Sequence, residues 1–214
     1  MANATTLAWI GIGLGVASFL VIAAHLALGH RQRMAVMNAV WPVTGLYAGP
    51  IAVATYFAEF RRDHRRRNPW RDSALAATHC GAGCCLGDIG AEAWMHAKPF
   101  TLLGSALAAS WTLDFAFAFV LGIAFQYASI KPMSKLPAAR ALLAALKADS
   151  LSLVAWQAGM YGAMAFAMFG LAGRRLEPAE PVFWLAMQGA MIAGFLVSWP
   201  VNALLLRAGI KERM

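Results

Sequence analysis

Six stretches of about 20 or more mostly apolar residues, joined by short connections, fill this chain at about 6–28, 36–59, 73–97, 101–129, 150–172 and 182–206. At 1.5 Å per residue, each is long enough to cross a hydrocarbon core about 30 Å thick. A soluble domain could not hide so much apolar surface. Hydrophobic residues make up 60% of 214 positions and charged ones 13%, against about 25% charged in an ordinary soluble domain. The pattern predicts an all-α, polytopic membrane helical bundle of about six transmembrane helices, a single domain over residues 1–214. The first stretch lacks a basic leader and its apolar run is too long, so it reads as a span and not as a cleavable signal peptide.

Lys and Arg set the expected orientation. With the N-terminus inside, the cytoplasmic segments hold Arg61, Arg62, Arg65, Arg66, Arg67, Arg71, Lys131, Lys135, Arg140, Lys147, Arg207, Lys211 and Arg213, and the outer loops only Arg31, Arg33, Lys98, Arg174 and Arg175. Positive charge stays inside, which predicts a multi-pass inner (plasma) membrane protein with N- and C-termini cytoplasmic. The net charge of +8 calls for no nucleic acid: the R-R-D-H-R-R-R run at 61–67, His64 included, reads as a solvated loop near anionic headgroups. Residues 137–149 have a helical period and read as an amphipathic helix at the cytoplasmic surface or running into span five. Trp41, Trp70, Trp94, Trp184 and Trp199 lie towards span ends, as in an aromatic belt. Pro42, Pro50 and Pro200 can kink their spans and free backbone carbonyls, which neighbours usually repair. Gly11 with Gly15, Gly45 with Gly49, and Gly83 with Gly87 allow close helix contact within the chain or in a homo-oligomer.

Span three carries the chemistry. It contains His79, Cys80, Cys84, Cys85, Asp88, Glu92 and His96 among four glycines, so it cannot face lipid and the other spans are expected to enclose it. An aspartate at mid-membrane costs about 2.5–3.5 kcal/mol, which makes such groups candidates for function. At about 100° per residue, Cys80, Cys84, Asp88 and Met95 share one stripe. Glu92 lies at its edge and His96 further round. His79 joins only if the helix unwinds near Gly81 and Gly83, and Cys85 points elsewhere. Span four adds Asp114. No Lys or Arg of the spans lies at this depth, so the three carboxyls are protonated, hydrogen-bonded, or share a cation.

Thiols, carboxylates and imidazoles together suit a soft or borderline transition metal. Met160, Met164 and Met168 form a stripe on span five with Gln157, and Met187, Met191, Ser198 and Asn202 form one on span six. Such stripes are commonly core filler, but thioethers also bind copper(I). The residues therefore favour a membrane protein that binds and transports a soft transition metal ion, copper(I) first. Its metal ligands would be His79, Cys80, Cys84, Asp88, Glu92, Met95 and His96. Asp114, Asp149, Gln157, the five methionines and Asn202 would serve path or charge balance. Two alternatives are an intramembrane metal- or thiol-dependent enzyme and an accessory subunit of a membrane complex. Scarce histidine in the spans weighs against a hydrolase, and three cysteines against a disulfide framework.

The segment T-H-C-G-A-G-C-C-L-G-D-I (78–89) resembles a bacterial membrane family known as domain of unknown function 4396. So do L-D-F (113–115), G-I-A-F-Q-Y (122–127), L-K-A-D-S-L-S-L (146–153), P-V-N (200–202) and G-I-K-E-R-M (209–214). The resemblance implies a multi-helix membrane fold and marks His79, Cys80, Cys84, Asp88, Asp114 and Asp149. The second cysteine of the pair, Cys85, departs from the family pattern. The family brings no established activity.

Overall fold

The computed structural model describes residues 2–32, 34–61 and 68–211. The basic run at 62–67, Arg33 and residues 212–214 lie outside the described residues. Seven α-helices follow in order: α1 (Ala2–Ala27), α2 (Met37–Ala48), α3 (Pro50–Phe60), α4 (Pro69–Ala97), α5 (Ala106–Met133), α6 (Ala138–Ala165) and α7 (Pro181–Arg207), with a π-helical turn, Phe166–Leu171, continuing α6. No strand occurs among the described residues beyond one isolated bridge between Leu102 and Ser105. The all-α expectation holds.

Local sequence explains the helix ends. The Asn68 side chain accepts from the N–H groups of Trp70 and Arg71, and Pro69 stands in the first turn, where its missing donor costs nothing. Ser105 caps α5 through the N–H of Ala108, 3.2 Å away. The amphipathic stretch at 137–149 is no separate surface helix, because α6 runs unbroken from Ala138 to Ala165. Of the two expectations for that stretch, continuation into span five is the one met.

Among the described residues three helical stretches are long and apolar enough to cross a membrane: Asn3–Ala27, Ala106–Met133 and Pro181–Arg207. Their outer faces fit lipid, with Leu7, Trp9 and Ile10 of α1 and Leu196 and Val197 of α7 all exposed. α4 and α6 match them in length, at 29 and 28 residues, but buried polar groups dilute α4 and the basic, amphipathic first half dilutes α6.

The stretch at 36–59 is two helices, not one. Gly49 takes φ 54° and ψ −134° between α2 and α3, and α3 doubles back along α2. Trp41 and Tyr56, fifteen positions apart, lie ring to ring at 5.6 Å; in one straight helix that separation would be about 22 Å. The far end of α3 meets the end of α1: His25 accepts or donates a 2.8 Å hydrogen bond with Tyr56 and packs edge-on against Phe57 and Phe60. Helices of 12 and 11 residues reach only about 16–18 Å, short of a hydrocarbon core of about 30 Å. The pair is a helical hairpin with both open ends on one face. Trp41 is consequently buried, not part of a belt.

Pro50 has no N–H to give the carbonyl of Leu46. Gln188 of α7 supplies it, its Nε2 donating at 2.8 Å to Leu46 O and at 3.1 Å to Gly11 O. Gly11 and Gly15 lie beside Gln188, near the start of α7, while Gly45 backs onto Ser18 and Phe19. The other end of α1 joins the start of α4 through His25–Tyr56 and Glu59–Arg71, and the start of α4 meets the end of α7 through Trp70–Trp199. α1 thus runs parallel to α7 and antiparallel to α4. The start of α1 and the end of α7 stand at opposite faces of the bundle, an arrangement different from the expected one with both termini on one side.

The remaining helices zigzag. α4 and α5 meet backbone to backbone, Gly83 against Gly122 and Gly87 against Ala118. Tyr161 of α6 stacks on Trp111 of α5 at 4.8 Å, and Ser152 of α6 meets Ser198 of α7. α4 touches α2, α5, α6 and α7, and every residue from Ala76 to Cys85 is buried. The predicted enclosure of the third apolar stretch holds for that part, whereas Ile89, Ala93, Trp94 and His96 further along α4 are exposed.

Candidate functional site

The glycines of α4 are contact surfaces, not hinges. A Cβ on Gly81 would run into the ring of Trp156, and one on Gly83 would lie 2.7 Å from the Cα of Gly122. α4 is regular throughout. The unwinding that would have turned His79 into the thiol stripe therefore does not occur. His79 faces α5 instead, its ring at 6.0 Å from Phe125, fully buried, and neither nitrogen makes a hydrogen bond of good geometry.

Cys80 belongs to a polar cluster near the face where α7 ends. Its Sγ lies 3.0 Å from Asp149 Oδ1 and 3.2 Å from the carbonyl of Ala76. The Nζ of Lys211 enters the same cluster, donating at 2.6 Å to Asp149 Oδ1, at 2.8 Å to Asn202 Oδ1, and lying 3.5 Å from Cys80 Sγ. Ser152 and Ser198 complete the shell, Ser152 donating to Asn202 Oδ1 and Asn202 Nδ2 to Ser198. Lys211 had been counted as a loop cation; the side chains of Lys211 and Asp149 are both fully buried. Burial alone would lower the ammonium's pKa, but the Asp149 carboxylate and the Cys80 sulfur beside it hold it above the ordinary lysine value. The signal was in the closing A-G-I-K. Gly209 takes φ +68°, with Gly209 N–H bonded to Leu206 O and Ile210 N–H to Leu205 O. That glycine-closed helix end reverses the chain and sends Lys211 back among the helices.

A second cluster lies further along α4. Asp88 is buried, and neither carboxyl oxygen has a hydrogen bond of good geometry, although Gln157 of α6 lies next to it. Asp114 Oδ1 is equally unpartnered, and Asp88, Glu92 and Asp114 are within electrostatic reach of one another. Glu92 accepts from Ser110 at 2.7 Å. Asp88 and Asp114 have no ion-pair partner among the described residues. Lys211 thus supplies a cation to Asp149 but not to these two. Cys84 is buried between the clusters, Met95 is buried beyond them, and His96 is exposed, outside the set it was expected to join.

Asp88 also lines a cavity of about 140 Å³ between α1, α2, α4 and α7, together with Cys85, Tyr47, Met187, Gln188 and Met191. Cys85 is off the Cys80 and Cys84 stripe, as expected, but it stands three residues before Asp88, a spacing that puts both on one face. Met160, Met164 and Met168 are buried in the apolar core. Among the described residues no three His, Cys, Asp or Glu side chains come together as a metal-holding group. The cavity instead brings Cys85 and Asp88 together with the thioethers of Met187 and Met191.

Architecture and site together define a helical-bundle protein with membrane-spanning helices and a buried, thiol-bearing column of ionisable groups. The chain belongs to the family described as domain of unknown function DUF4396, whose profile matches residues 69–211. That range starts with α4 and ends at Lys211, leaving α1 and the hairpin outside it. No curated protein and no solved structure matches the chain.

Proposed function

We propose that this is an integral membrane protein that binds and moves a soft transition metal ion, copper(I) first, with its principal site in the cavity lined by Cys85, Asp88, Met187 and Met191. The observation that carries this reading is the shared lining. One thiol, two thioethers and a carboxyl without a hydrogen bond of good geometry line one cavity. Thiolate and thioether ligands select copper(I) over harder ions, and a buried carboxyl without a partner is favourably placed beside a cation. Asp114, Glu92 and Gln157 would balance charge along the path, with Cys84 and Cys80 leading towards the end of α7.

The crossings in this reading are α1, α4, α5, α6 with its π-helical turn, and α7, five instead of six, with the α2–α3 hairpin re-entrant. Charge supports the count. The segments joined at the face where α7 ends carry the thirteen basic residues counted above plus Arg31 and Arg33, leaving Lys98, Arg174 and Arg175 opposite. That is a stronger inside bias than six crossings gave, with the end of α7 cytoplasmic, the start of α1 on the outer side, and the inner membrane as the location.

Purified protein under reducing conditions is expected to bind copper(I) or silver(I), measured by chelator competition. Asp88→Asn should weaken binding roughly 10–100-fold, and Cys85→Ala with Met191→Leu should remove the high-affinity site. Wild-type protein that takes up neither ion would end this reading.

A further inference from the structure

A buried ammonium held by a carboxylate, an amide oxygen and a sulfur is an occupied cation site. Asp149, Asn202 and Cys80 present that set from three different helices, α6, α7 and α4, and Ser152 and Ser198 hold the amide of Asn202 in place. The occupant is not part of any of those helices. It hangs on four residues after the end of α7, where Gly209 makes the turn that points Lys211 inward. One observation indicates that the site has capacity beyond the lysine. Asp149 Oδ1 meets both Lys211 and Cys80, while Asp149 Oδ2 is buried with no hydrogen bond. A lysine whose role was only to pin the tail would leave no carboxylate oxygen unsatisfied beside it.

We propose that Asp149, Asn202 and Cys80 form a second cation site, at the face where α7 ends, and that Lys211 is its tethered occupant, displaced when a soft monovalent metal ion enters. Sulfur beside carboxylate and amide oxygen suits copper(I) or silver(I) better than magnesium or calcium. The tail then acts as a plug: the site is never an uncompensated buried charge, since either the ammonium or the metal ion fills it. This rests on the metal reading above for its ligand class, but uses different residues, so the two can fail separately.

The test uses the full chain, purified in detergent under reducing conditions, with silver(I) as the probe. Every variant carries Cys85→Ala, which removes the central thiol. On that background Lys211→Met is expected to tighten silver(I) binding about tenfold or more, because a short tether presents its ammonium at an effective concentration in the millimolar range. Adding Asp149→Asn or Cys80→Ser should cancel the gain. A Lys211→Met protein that melts like its parent and binds silver(I) no tighter overturns the proposal. Should that variant not fold, the unsubstituted chain gives the answer: silver(I) should increase tryptic cleavage after Lys211 several-fold, and unchanged cleavage at saturating silver(I) overturns it equally. Binding lost with Cys85→Ala and not regained with Lys211→Met sinks the tail site and leaves the central one standing. An Asp149-dependent gain in a chain whose central cavity binds nothing does the reverse.

Discussion

Glycine residues of α4 carry the close packing on which both clusters depend. Gly83 meets the Cα of Gly122 where a side chain would stand 2.7 Å away, and Gly81 receives the ring of Trp156, which Gly194 flanks from the other side. Backbone against backbone cannot give way as a flexible side chain can. Gly83→Val is therefore expected to destabilise the folded chain by about 1–3 kcal/mol or more, read as a lower melting temperature in detergent. Asp88 poses the opposite case. Its carboxyl is buried without a good hydrogen bond, so Asp88→Asn should leave the melting temperature nearly unchanged or raised while metal affinity falls. A large loss of stability with no loss of affinity would instead make Asp88 a structural residue.

Among the elements, the hairpin departs most from a simple bundle. Apolar composition over 36–59 is the same for one long span and for two half-length helices. The G-P pair at 49–50 is the local sign, and Gly49 at φ 54° is the residue that uses it. The broken hydrogen-bond ladder is closed at Leu46 O by Gln188, 142 positions later in the chain. Gln188→Leu should cost about 1 kcal/mol, for leaving a half-buried carbonyl unpaired, measured as the shift in thermal unfolding against wild type. His25 shows the same dependence on distant partners. Near the end of an apolar stretch it reads as a residue satisfied by neighbours or interfacial water, and its partner proves to be Tyr56 of the returning helix.

At the scale of the whole molecule the hairpin decides topology. Because α3 returns to the face it started from, α1 must run parallel to α7. Single cysteines test this directly with a membrane-impermeant maleimide applied to sealed vesicles of either orientation. Arg31→Cys, Arg61→Cys and Arg207→Cys are expected to label from one side, and Asn3→Cys and Lys98→Cys from the other. Labelling of Asn3→Cys and Arg207→Cys from the same side would restore six crossings. The family match begins at α4. α4 to α7 with Lys211 contain the Cys80 cluster and the carboxyls of the second, while α1 and α2 contribute only one wall of the central cavity.

The sequence by itself determined the membrane class, the all-α fold, the enclosure of α4 over 76–85 and the stripe of Cys80, Cys84 and Asp88. Each follows from composition or from the fixed 100° step of a helix, and neither depends on what lies opposite. Only the tertiary structure decided that His79 turns to Phe125 and His96 to the surface, that Cys85 shares a void with Met187 and Met191, that α3 doubles back, and that Lys211 fills the site at Asp149. Those depend on which helices pack together and on where a glycine reverses the chain. Periodicity along one helix carries no record of the residues that a neighbour brings to meet it.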